Sequence, residues 1–306
     1  MEVLTDNSLF YAKELDGKRV LVTGGTRLNM IQENFIQVDQ DKCLQCGLCV
    51  NVCRGTLGMG SNGPKIVRQL CIGCGHCVAV CPKGAMNNLN APLENQVEIE
   101  RSSLTASGTA ARFIRSRRSI RNFQQKAVGR ETIIQLLDIA RYAPTACNSQ
   151  GVSYHVVDDP DTLRRITAAT VDWAEEEMRK GSTIAASPWA ANTAAQIELY
   201  RKSGTDVVLR NAPCLIVAVA SKDMMPLGRD NTHFSLSYVQ LYAPSFGIGT
   251  CWSGLFEYCA TSGYEPLLHL LNLPENSSVS GGLMAGYPLY SFNRLVDRDS
   301  LQITWQ

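Results

Sequence analysis

The sequence lacks several features that would point to common classes of partner. Its 306 residues carry 29 basic and 28 acidic side chains, and the formal charge of +1 provides no global field that would attract nucleic acid or a membrane surface. The longest apolar run, from Ala212 to Ala220, is too short to cross a bilayer, and the N-terminus shows no secretory signal. The sequence therefore predicts a protein without nucleic-acid or membrane partners.

Histidine is scarce, whereas cysteine is abundant. The chain has four histidines and twelve cysteines, and His155, His233 and His269 show no spacing typical of a metal site. Because disulfide frameworks belong to small secreted chains, this many cysteines in a chain of this length indicates a reducing cytoplasm. The cysteines outside the motif described next are expected to be free thiols: Cys147, Cys214, Cys251 and Cys259.

Eight of the cysteines form two quartets with identical internal spacing. The first comprises Cys43, Cys46, Cys49 and Cys53, and the second comprises Cys71, Cys74, Cys77 and Cys81, followed by Pro82. This CxxCxxCxxxC run is typical of a bacterial-type ferredoxin, in which three cysteines bind one cubane and the fourth binds the other. We therefore expect two [4Fe–4S] clusters, one held by Cys43, Cys46, Cys49 and Cys81 and the other by Cys71, Cys74, Cys77 and Cys53.

A zinc site and a disulfide framework are the alternatives for these quartets, and both are weaker. Zinc sites rarely use eight cysteines in two identical quartets, and disulfides suit small secreted chains. His76 lies within the second quartet but is redundant there, because four thiolates already satisfy each cluster. The first quartet is followed by Arg54 where the second has Pro82, a difference that removes no ligand.

The length predicts two domains, and 45% apolar residues suffice for a sizeable core. The predicted division is an N-terminal extension at 1–34, a 2[4Fe–4S] ferredoxin-like domain at 35–90, a linker at 91–111 and a larger domain at 112–306. In the larger domain, helical periodicity at 133–140 and the apolar run at 215–220 predict a helix and a buried strand. Asp230 is predicted to cap a helix that runs to about residue 246. The fold class is therefore α+β.

Residues 17–27, GKRVLVTGGTR, look like the opening strand and turn of a nucleotide-binding βαβ unit. Leu28, Asn29 and Met30 stand where the glycine-rich turn should be completed, and no helix or second strand follows before the first quartet. We therefore interpret this stretch as an extension or a hairpin packed on the rest of the chain.

The densest charge is a run of five arginines without an acidic residue among them: Arg112, Arg115, Arg117, Arg118 and Arg121. Such a run is often a solvated helix face. Arg117, Ser119 and Arg121, however, alternate along a segment predicted to be extended, so that two guanidinium groups and a hydroxyl point the same way. This alternation favours a phosphate-binding site.

Four ordered motifs resemble the nitroreductase-like flavoprotein family. They are RRSIRNF at 117–123, APTACNSQ at 143–150, GIGTCWSG at 247–254, and GYP at 286–288 with Arg294. The resemblance covers roughly residues 112–306, and with the cluster region the whole chain is similar to ferredoxin-domain nitroreductases. It implies a nitroreductase-like three-layer α/β/α domain that binds FMN, although Gly151 stands where the family usually has proline.

The resemblance also implies which residues bind FMN, and no catalytic side chain is among them. Arg117, Ser119 and Arg121, with Arg118 between them, match positions that hold the phosphate, ribityl chain and ring oxygens, and Arg294 matches a basic phosphate contact. In the family, one loop reaches the flavin of a partner subunit, which implies a homodimer. The residues that match this loop are Pro144, Thr145, Ala146 and Asn148. The stretch whose N–H faces flavin N5 is matched by Ser253, Gly254 and Leu255.

The predicted function is that of an iron–sulfur flavoprotein oxidoreductase. Electrons from a low-potential donor such as ferredoxin enter through the clusters, pass to FMN and reduce a small electrophile such as a nitro compound, quinone or enone. Two alternatives stay open. The chain could be an electron relay or redox sensor without an organic substrate of its own, or a NAD(P)H-driven flavin reductase with structural clusters.

Overall fold

The computed structural model describes residues 34–53, 55–100 and 105–306 and, for residues 21–22, the backbone alone. The nucleotide-like motif at 17–27 lies outside the described residues apart from that backbone, and so does Arg54. No helix in the described part of the chain is long and apolar enough to cross a membrane.

The described chain contains strands and helices in mixed order. The strands are β1 (Leu21–Val22), β2 (Ile36–Val38), β3 (Leu57–Gly60), β4 (Gly63–Ile66), β5 (Met86–Asn88), β6 (Val152–Val157), β7 (Cys214–Ser221), β8 (Gly249–Trp252) and β9 (Ser277–Gly286). The helices are α1 (Leu48–Val52), α2 (His76–Ala79), α3 (Ser107–Ser116), α4 (Arg130–Ala140), α5 (Pro160–Lys180), α6 (Ala190–Ser203), α7 (Leu227–Tyr242), α8 (Gly254–Thr261) and α9 (Glu265–Leu271).

These elements divide into two compact units. Of the described residues, the larger unit comprises 21–22, 105–143 and 152–306, and the smaller unit comprises 34–53, 55–100 and 144–151. The loop at 144–151 thus belongs to the smaller unit, although its neighbours on both sides along the chain belong to the larger one.

The larger unit is built on a five-stranded sheet with the order β1-β6-β7-β9-β8, in which all neighbouring strands are antiparallel. Side chains of β7 alternate between its two faces because successive residues of a strand point to opposite sides. Leu215 and Val217 enter a core with α5 and α8, whereas Cys214 and Ile216 enter a second core with α4 and α7. The sheet is therefore covered by helices on both faces, and the predicted α+β class with a three-layer larger domain is confirmed.

Sequence periodicity located the long elements better than their ends. The helix predicted at 133–140 is α4, and the strand predicted at 215–220 is β7. The predicted cap at Asp230 is wrong, because α7 begins at Leu227 directly after Pro226, whose restricted φ suits the start of a helix. Helix α3 begins at Ser107 and so occupies the last residues of the predicted linker at 91–111.

The smaller unit contains the same short motif twice. The third cysteine of each quartet lies in a short helix, Cys49 in α1 and Cys77 in α2. Each helix is preceded by a glycine in the left-handed region, Gly47 at φ 75° and Gly75 at φ 74°, where glycine has no steric penalty. The repeats differ in their strands, since β3 pairs with the adjacent β4 whereas β5 pairs with the distant β2.

Candidate functional site

The first group of thiols in the smaller unit draws its fourth member from the second quartet. One cavity is lined by Cys43, Cys46, Cys49 and Cys81. Most of the other lining side chains are apolar, among them Val38, Leu48, Pro64 and Met86. The spatial grouping is therefore the exchanged one that the ferredoxin spacing predicts.

The second group contains Cys53, Cys71, Cys74 and Cys77. Burial raises the pKa of the Cys77 thiol, and the charges of the other three cysteines raise it further. The side chain of Asn88 acts in the opposite direction, because its Nδ2 donates hydrogen bonds to Cys77 Sγ at 3.6 Å and to Cys71 Sγ at 3.8 Å. This group too takes one cysteine from the other quartet.

The Cys81 thiol lies where backbone N–H groups can stabilise it as a thiolate. Burial raises the pKa of Cys81, but hydrogen bonds from the backbone N–H groups of residues 83–86 lower it by more. The pKa of Cys81 therefore lies below its ordinary value. Within the part of the chain that the structure describes, no three His, Cys, Asp or Glu side chains gather around a point where a single metal ion could bind. A cubane is held by four thiolates around its corners, and the two groups supply such donor sets.

The arginine-rich segment of the larger unit runs along one edge of the sheet. Ile120 donates its N–H to Thr250 O at 2.9 Å, and Ser119 forms a parallel bridge to the same residue of β8. Gly249 permits this approach, since a Cβ there would lie 2.5 Å from Cγ1 of Ile120. Because Ile120 and Phe123 are buried, the extended segment is held in one register.

Charged groups of this segment, and one arginine from elsewhere in the chain, lie near a buried thiol of β8. Burial raises the pKa of Cys251, whereas the positive charges of Arg121, Arg210 and Arg117 and a hydrogen bond with Ser119 oppose the rise. The predicted trio of Arg117, Ser119 and Arg121 is thus together in space. The solvated-face interpretation holds for Arg112 and Arg115, which lie on the exposed helix α3.

Arg210 was not among the predicted site residues. It lies in the loop after α6 with a left-handed φ of 56°. Asp206 holds this loop, because its carboxylate accepts the backbone N–H groups of Val208 at 3.0 Å, Leu209 at 2.8 Å and Asn211 at 2.9 Å. An isolated arginine distant from the other motifs offers no sequence pattern that would reveal this placement.

Arg118 and Arg294 behave differently from the other predicted arginines. Arg118 donates from Nη2 to the backbone oxygen of Arg294 at 2.7 Å, and its guanidinium lies 5.7 Å from the ring centroid of Phe292. The side chain of Arg118 thus holds the C-terminal segment. Arg294, whose backbone oxygen accepts this hydrogen bond, is itself an exposed residue.

The predicted stretch at Ser253, Gly254 and Leu255 begins helix α8. Ser253 is buried, donates its N–H to Gly282 O at 2.9 Å and donates its hydroxyl to Val208 O at 3.1 Å. Gly254 and Leu255 are the first residues of the helix, where backbone N–H groups have no partner within the helix. A Cβ at Gly254 would meet no atom within 4 Å. This helix end therefore offers N–H groups beside open space.

Trp252, immediately before this stretch, is fixed by a buried carboxylate. Its Nε1 donates a hydrogen bond to Glu257, whose other oxygen accepts from Arg229 at 2.8 Å. His233 packs edge-on against the indole at 5.0 Å between ring centroids. The sequence offered no sign of this network, which positions the residues that open α8.

The predicted loop residues Pro144, Thr145, Ala146 and Asn148 lie in the smaller unit. Asn148 donates from Nδ2 to Ile72 O at 3.0 Å and to Gly73 O at 3.1 Å, both in the loop of the second thiol group. Cys147, Asn148 and Gln150 have φ values of 50°, 54° and 59°, which are costly for residues other than glycine. Asn148 thus holds a strained loop in place, while Cys147 is exposed within it.

Comparison with known proteins covers both parts of the chain. The family model of the nitroreductase family matches residues 114–287, and the model of a 4Fe-4S dicluster domain matches residues 29–86. A search of curated proteins found no match.

Solved structures resemble the C-terminal part. A nitroreductase with bound FMN from Desulfitobacterium hafniense DCB-2 is 18% identical with a TM-score of 0.50, over 63% of this chain and 97% of its own. An oxidized iodotyrosine deiodinase bound to FMN and 3-iodo-L-tyrosine is also 18% identical with a TM-score of 0.50, over 64% and 98%. At this identity the likeness concerns the fold.

Proposed function

The chain belongs to the nitroreductase family, and from that premise we propose that it is an FMN-dependent oxidoreductase fed by two iron–sulfur clusters. In this proposal one [4Fe–4S] cluster is bound by Cys43, Cys46, Cys49 and Cys81, and the other by Cys53, Cys71, Cys74 and Cys77. Electrons pass from a low-potential donor such as ferredoxin through the clusters to FMN and then to a small electrophilic acceptor.

One observation carries the flavin part of the proposal. Arg117, Arg121 and Arg210 act on the same thiol, Cys251, only three residues before Gly254 opens α8. Cationic forks and free helix N–H groups are the groups that bind a phosphate and an electron-rich ring. We assign the phosphate to Arg117 and Ser119, with Arg294 as a further basic contact. Arg118 contributes by holding the segment that carries Arg294.

The residues around the ring would act electrostatically. When bound, FMN supplies the exchange between single electrons and hydride. Arg121 and Arg210 carry fixed positive charges, which stabilise a ring that gains negative charge on reduction. Gly254 and Leu255 supply N–H groups toward the ring, since the N–H of Ser253 is already bonded to Gly282 O. No side-chain acid or base is required of the chain.

We propose that Pro144, Thr145, Ala146 and Asn148 contact the FMN of a second copy of the chain. The loop is held rigidly in the smaller unit by Asn148, and a rigid loop loses little entropy when it contacts a cofactor. The assembly would then be a twofold-symmetric homodimer. Sedimentation of the FMN-loaded protein should give the mass of two chains, and a flavin-loaded monomer would contradict this arrangement.

Cofactor content and the route of reduction test the proposal. Anaerobically purified protein should contain about eight iron atoms and one FMN per chain. In stopped-flow experiments, reduced ferredoxin should bleach the clusters first and the flavin next, and a nitro compound, quinone or enone should reoxidise the flavin.

Other outcomes separate the alternatives. Flavin reduction by NADH with the clusters left oxidised would favour a NAD(P)H-driven reductase with structural clusters. Cluster and flavin reduction with no organic acceptor able to reoxidise the flavin would favour a relay or sensor. Zinc in place of iron, or no flavin after reconstitution, would contradict the cofactor assignment itself.

A further inference from the structure

Asn88, at the end of strand β5, places a buried amide against the second group of thiols. The residue is 2% exposed, and its Nδ2 lies 3.6 Å from Cys77 Sγ and 3.8 Å from Cys71 Sγ. These distances suit hydrogen bonds to sulfur. The buried amide is therefore directed at two sulfurs of the second group.

The orientation of this amide follows from its other contacts. The Oδ1 of Asn88 accepts the N–H of Asn90 at 2.9 Å, so Nδ2 rather than the oxygen must face the sulfurs. The backbone of Asn88 is opposite Ile36 in the pairing of β5 with β2. The neighbouring Leu89 donates its N–H to Phe35 O at 2.8 Å. The backbone of Asn88 is therefore fixed by strand pairing, and its amide group is fixed by the hydrogen bond to Asn90 N.

The first group of thiols has no such side chain at the matching place. Strand β3 follows the first quartet as β5 follows the second, and it reads Leu57, Gly58, Met59 and Gly60. None of these side chains carries an N–H or O–H group. Backbone N–H groups donate to sulfurs of both groups, as at Cys81 in the first and at Cys71, which accepts from Gly73 N at 3.3 Å, in the second. Among the described residues of these two matching strands, only Asn88 supplies a side-chain donor to ligand sulfur.

We propose that Asn88 raises the reduction potential of the cluster bound by Cys53, Cys71, Cys74 and Cys77. This inference rests on the proposed function for the presence of that cluster. Reduction adds negative charge that spreads onto the ligand sulfurs, and a donor at those sulfurs stabilises the reduced form more than the oxidised form. Burial strengthens the effect because the surroundings screen it poorly. Asn88 is a positioning and tuning residue, and it binds no iron.

The test is an anaerobic redox titration of the holoprotein followed by electron paramagnetic resonance. Asn88→Ala and Asn88→Leu should each lower one of the two one-electron midpoint potentials, by on the order of a tenfold change in the reduction equilibrium, or about 59 mV. The other midpoint should stay in place. The shifted signal should be the one that disappears in Cys77→Ala.

Asn87→Ala is the matched control. Asn87 is the preceding residue of β5 and points away from the sulfurs, donating to Gln37 Oε1 at 2.9 Å and accepting from Leu93 N at 2.9 Å. Its removal should leave both midpoints unchanged. Unaltered potentials in iron-replete Asn88→Leu, or equal shifts of both clusters, would overturn the proposal.

A second measurement needs no variant. Protein labelled with ¹⁵N at its asparagine side chains should show a ¹⁵N coupling to the reduced clusters in pulsed paramagnetic resonance, because the amide donates directly to ligand sulfur. Absence of this coupling in wild-type protein would also overturn the proposal. Protein without clusters would defeat the proposed function, whereas clusters that carry no such coupling would defeat only the role of Asn88.

Discussion

The two units assemble their candidate sites in opposite ways. In the smaller unit all eight thiols come from residues 43–81, and each of two short helices with a glycine N-cap carries one of them, Cys49 or Cys77. In the larger unit, Arg117 and Arg210 come from distant parts of the chain. They approach Cys251 of β8 only at the edge of a packed sheet. The thiol groups therefore depend on local loops, whereas the arginine group depends on the packing of the whole larger unit.

Cysteine residues show how differently the two units treat the same side chain. Backbone N–H groups lower the pKa of Cys81 against the effect of burial in the smaller unit. In the larger unit, burial raises the pKa of Cys214 to about 12. A cysteine in the first environment is prepared to bind metal as a thiolate, and one in the second is an inert core residue.

The largest expected effect tests the smaller unit. Cys77→Ala removes a ligand of the second group, so iron content should fall from about eight to about four atoms per chain. Ferredoxin-driven turnover should fall at least about 100-fold, while a chemical reductant that reaches FMN directly should still support turnover.

Cys147→Ala is the matched control, because Cys147 is exposed and outside both groups. It should retain all the iron. Flavin content must be measured in both variants, since Asn148 ties the predicted flavin loop to Ile72 and Gly73 beside the second group. Equal ferredoxin-driven rates with and without that cluster would show that electrons bypass it.

The second-largest expected effect is a loss of FMN affinity, and it tests the arginines of the larger unit. Arg117→Ala, Arg121→Ala and Arg210→Ala should each weaken FMN binding roughly tenfold to a hundredfold, because each removes a charge-assisted hydrogen bond of about 1.5–3 kcal/mol. Fluorescence titration of flavin-free protein measures the affinity. Iron content should not change, and Arg112→Ala on the exposed helix α3 should bind FMN normally. Normal affinity in all three variants would move the flavin elsewhere.

A smaller effect concerns the carboxylate that fixes Trp252. Glu257→Ala leaves the indole N–H and Arg229 without their acceptor, and the free energy of unfolding should fall by about 2 kcal/mol. Glu257→Gln, which keeps an acceptor for the indole, should lose less. All four tryptophans lie in the larger unit, at 173, 189, 252 and 305, so denaturation followed by tryptophan fluorescence reports on that unit. Equal stability of the alanine variant and wild type would show that the network contributes nothing.

The smallest effect is a pH dependence. Cys214 has a raised pKa of about 12 in the folded protein, so above its ordinary value of 9.0 the unfolded chain loses a proton that the folded chain keeps. Stability therefore falls as pH rises through this window, by about 1 kcal/mol at pH 10 from this group. Cys214→Val should remove that contribution, whereas Cys147→Ser should not. Denaturation midpoints at pH 7 and pH 10 measure it, and parallel losses in Cys214→Val and wild type would refute it.

The sequence was most informative where the structure is local. Spacing alone predicted which cysteines exchange between the quartets, because short loops around two centres leave few other arrangements. Periodicity predicted α4 and β7, since a one-sided or continuous apolar pattern admits few alternatives. The alternation of Arg117, Ser119 and Arg121 indicated a shared face, and the three do converge at Cys251.

Contacts between distant parts of the chain decided the features of the two candidate sites that the sequence did not predict. Asp206 holds the loop of Arg210, and the hydroxyl of Ser253, directly after β8, donates to Val208 O in that loop. Arg118 leaves the arginine group because the C-terminal segment passes within its reach. Asn148 contacts the loop of the second thiol group although it lies 75 positions after Gly73 in the chain. Residue type and short spacing were enough to predict thiols grouped in one part of the chain and arginines grouped in the other, because both features are written directly in the sequence. Three contacts could not be predicted, because each joins residues from different segments of the chain: Arg210 near Cys251, the carbonyls that accept from Asn148, and the sulfurs that accept from the Asn88 amide.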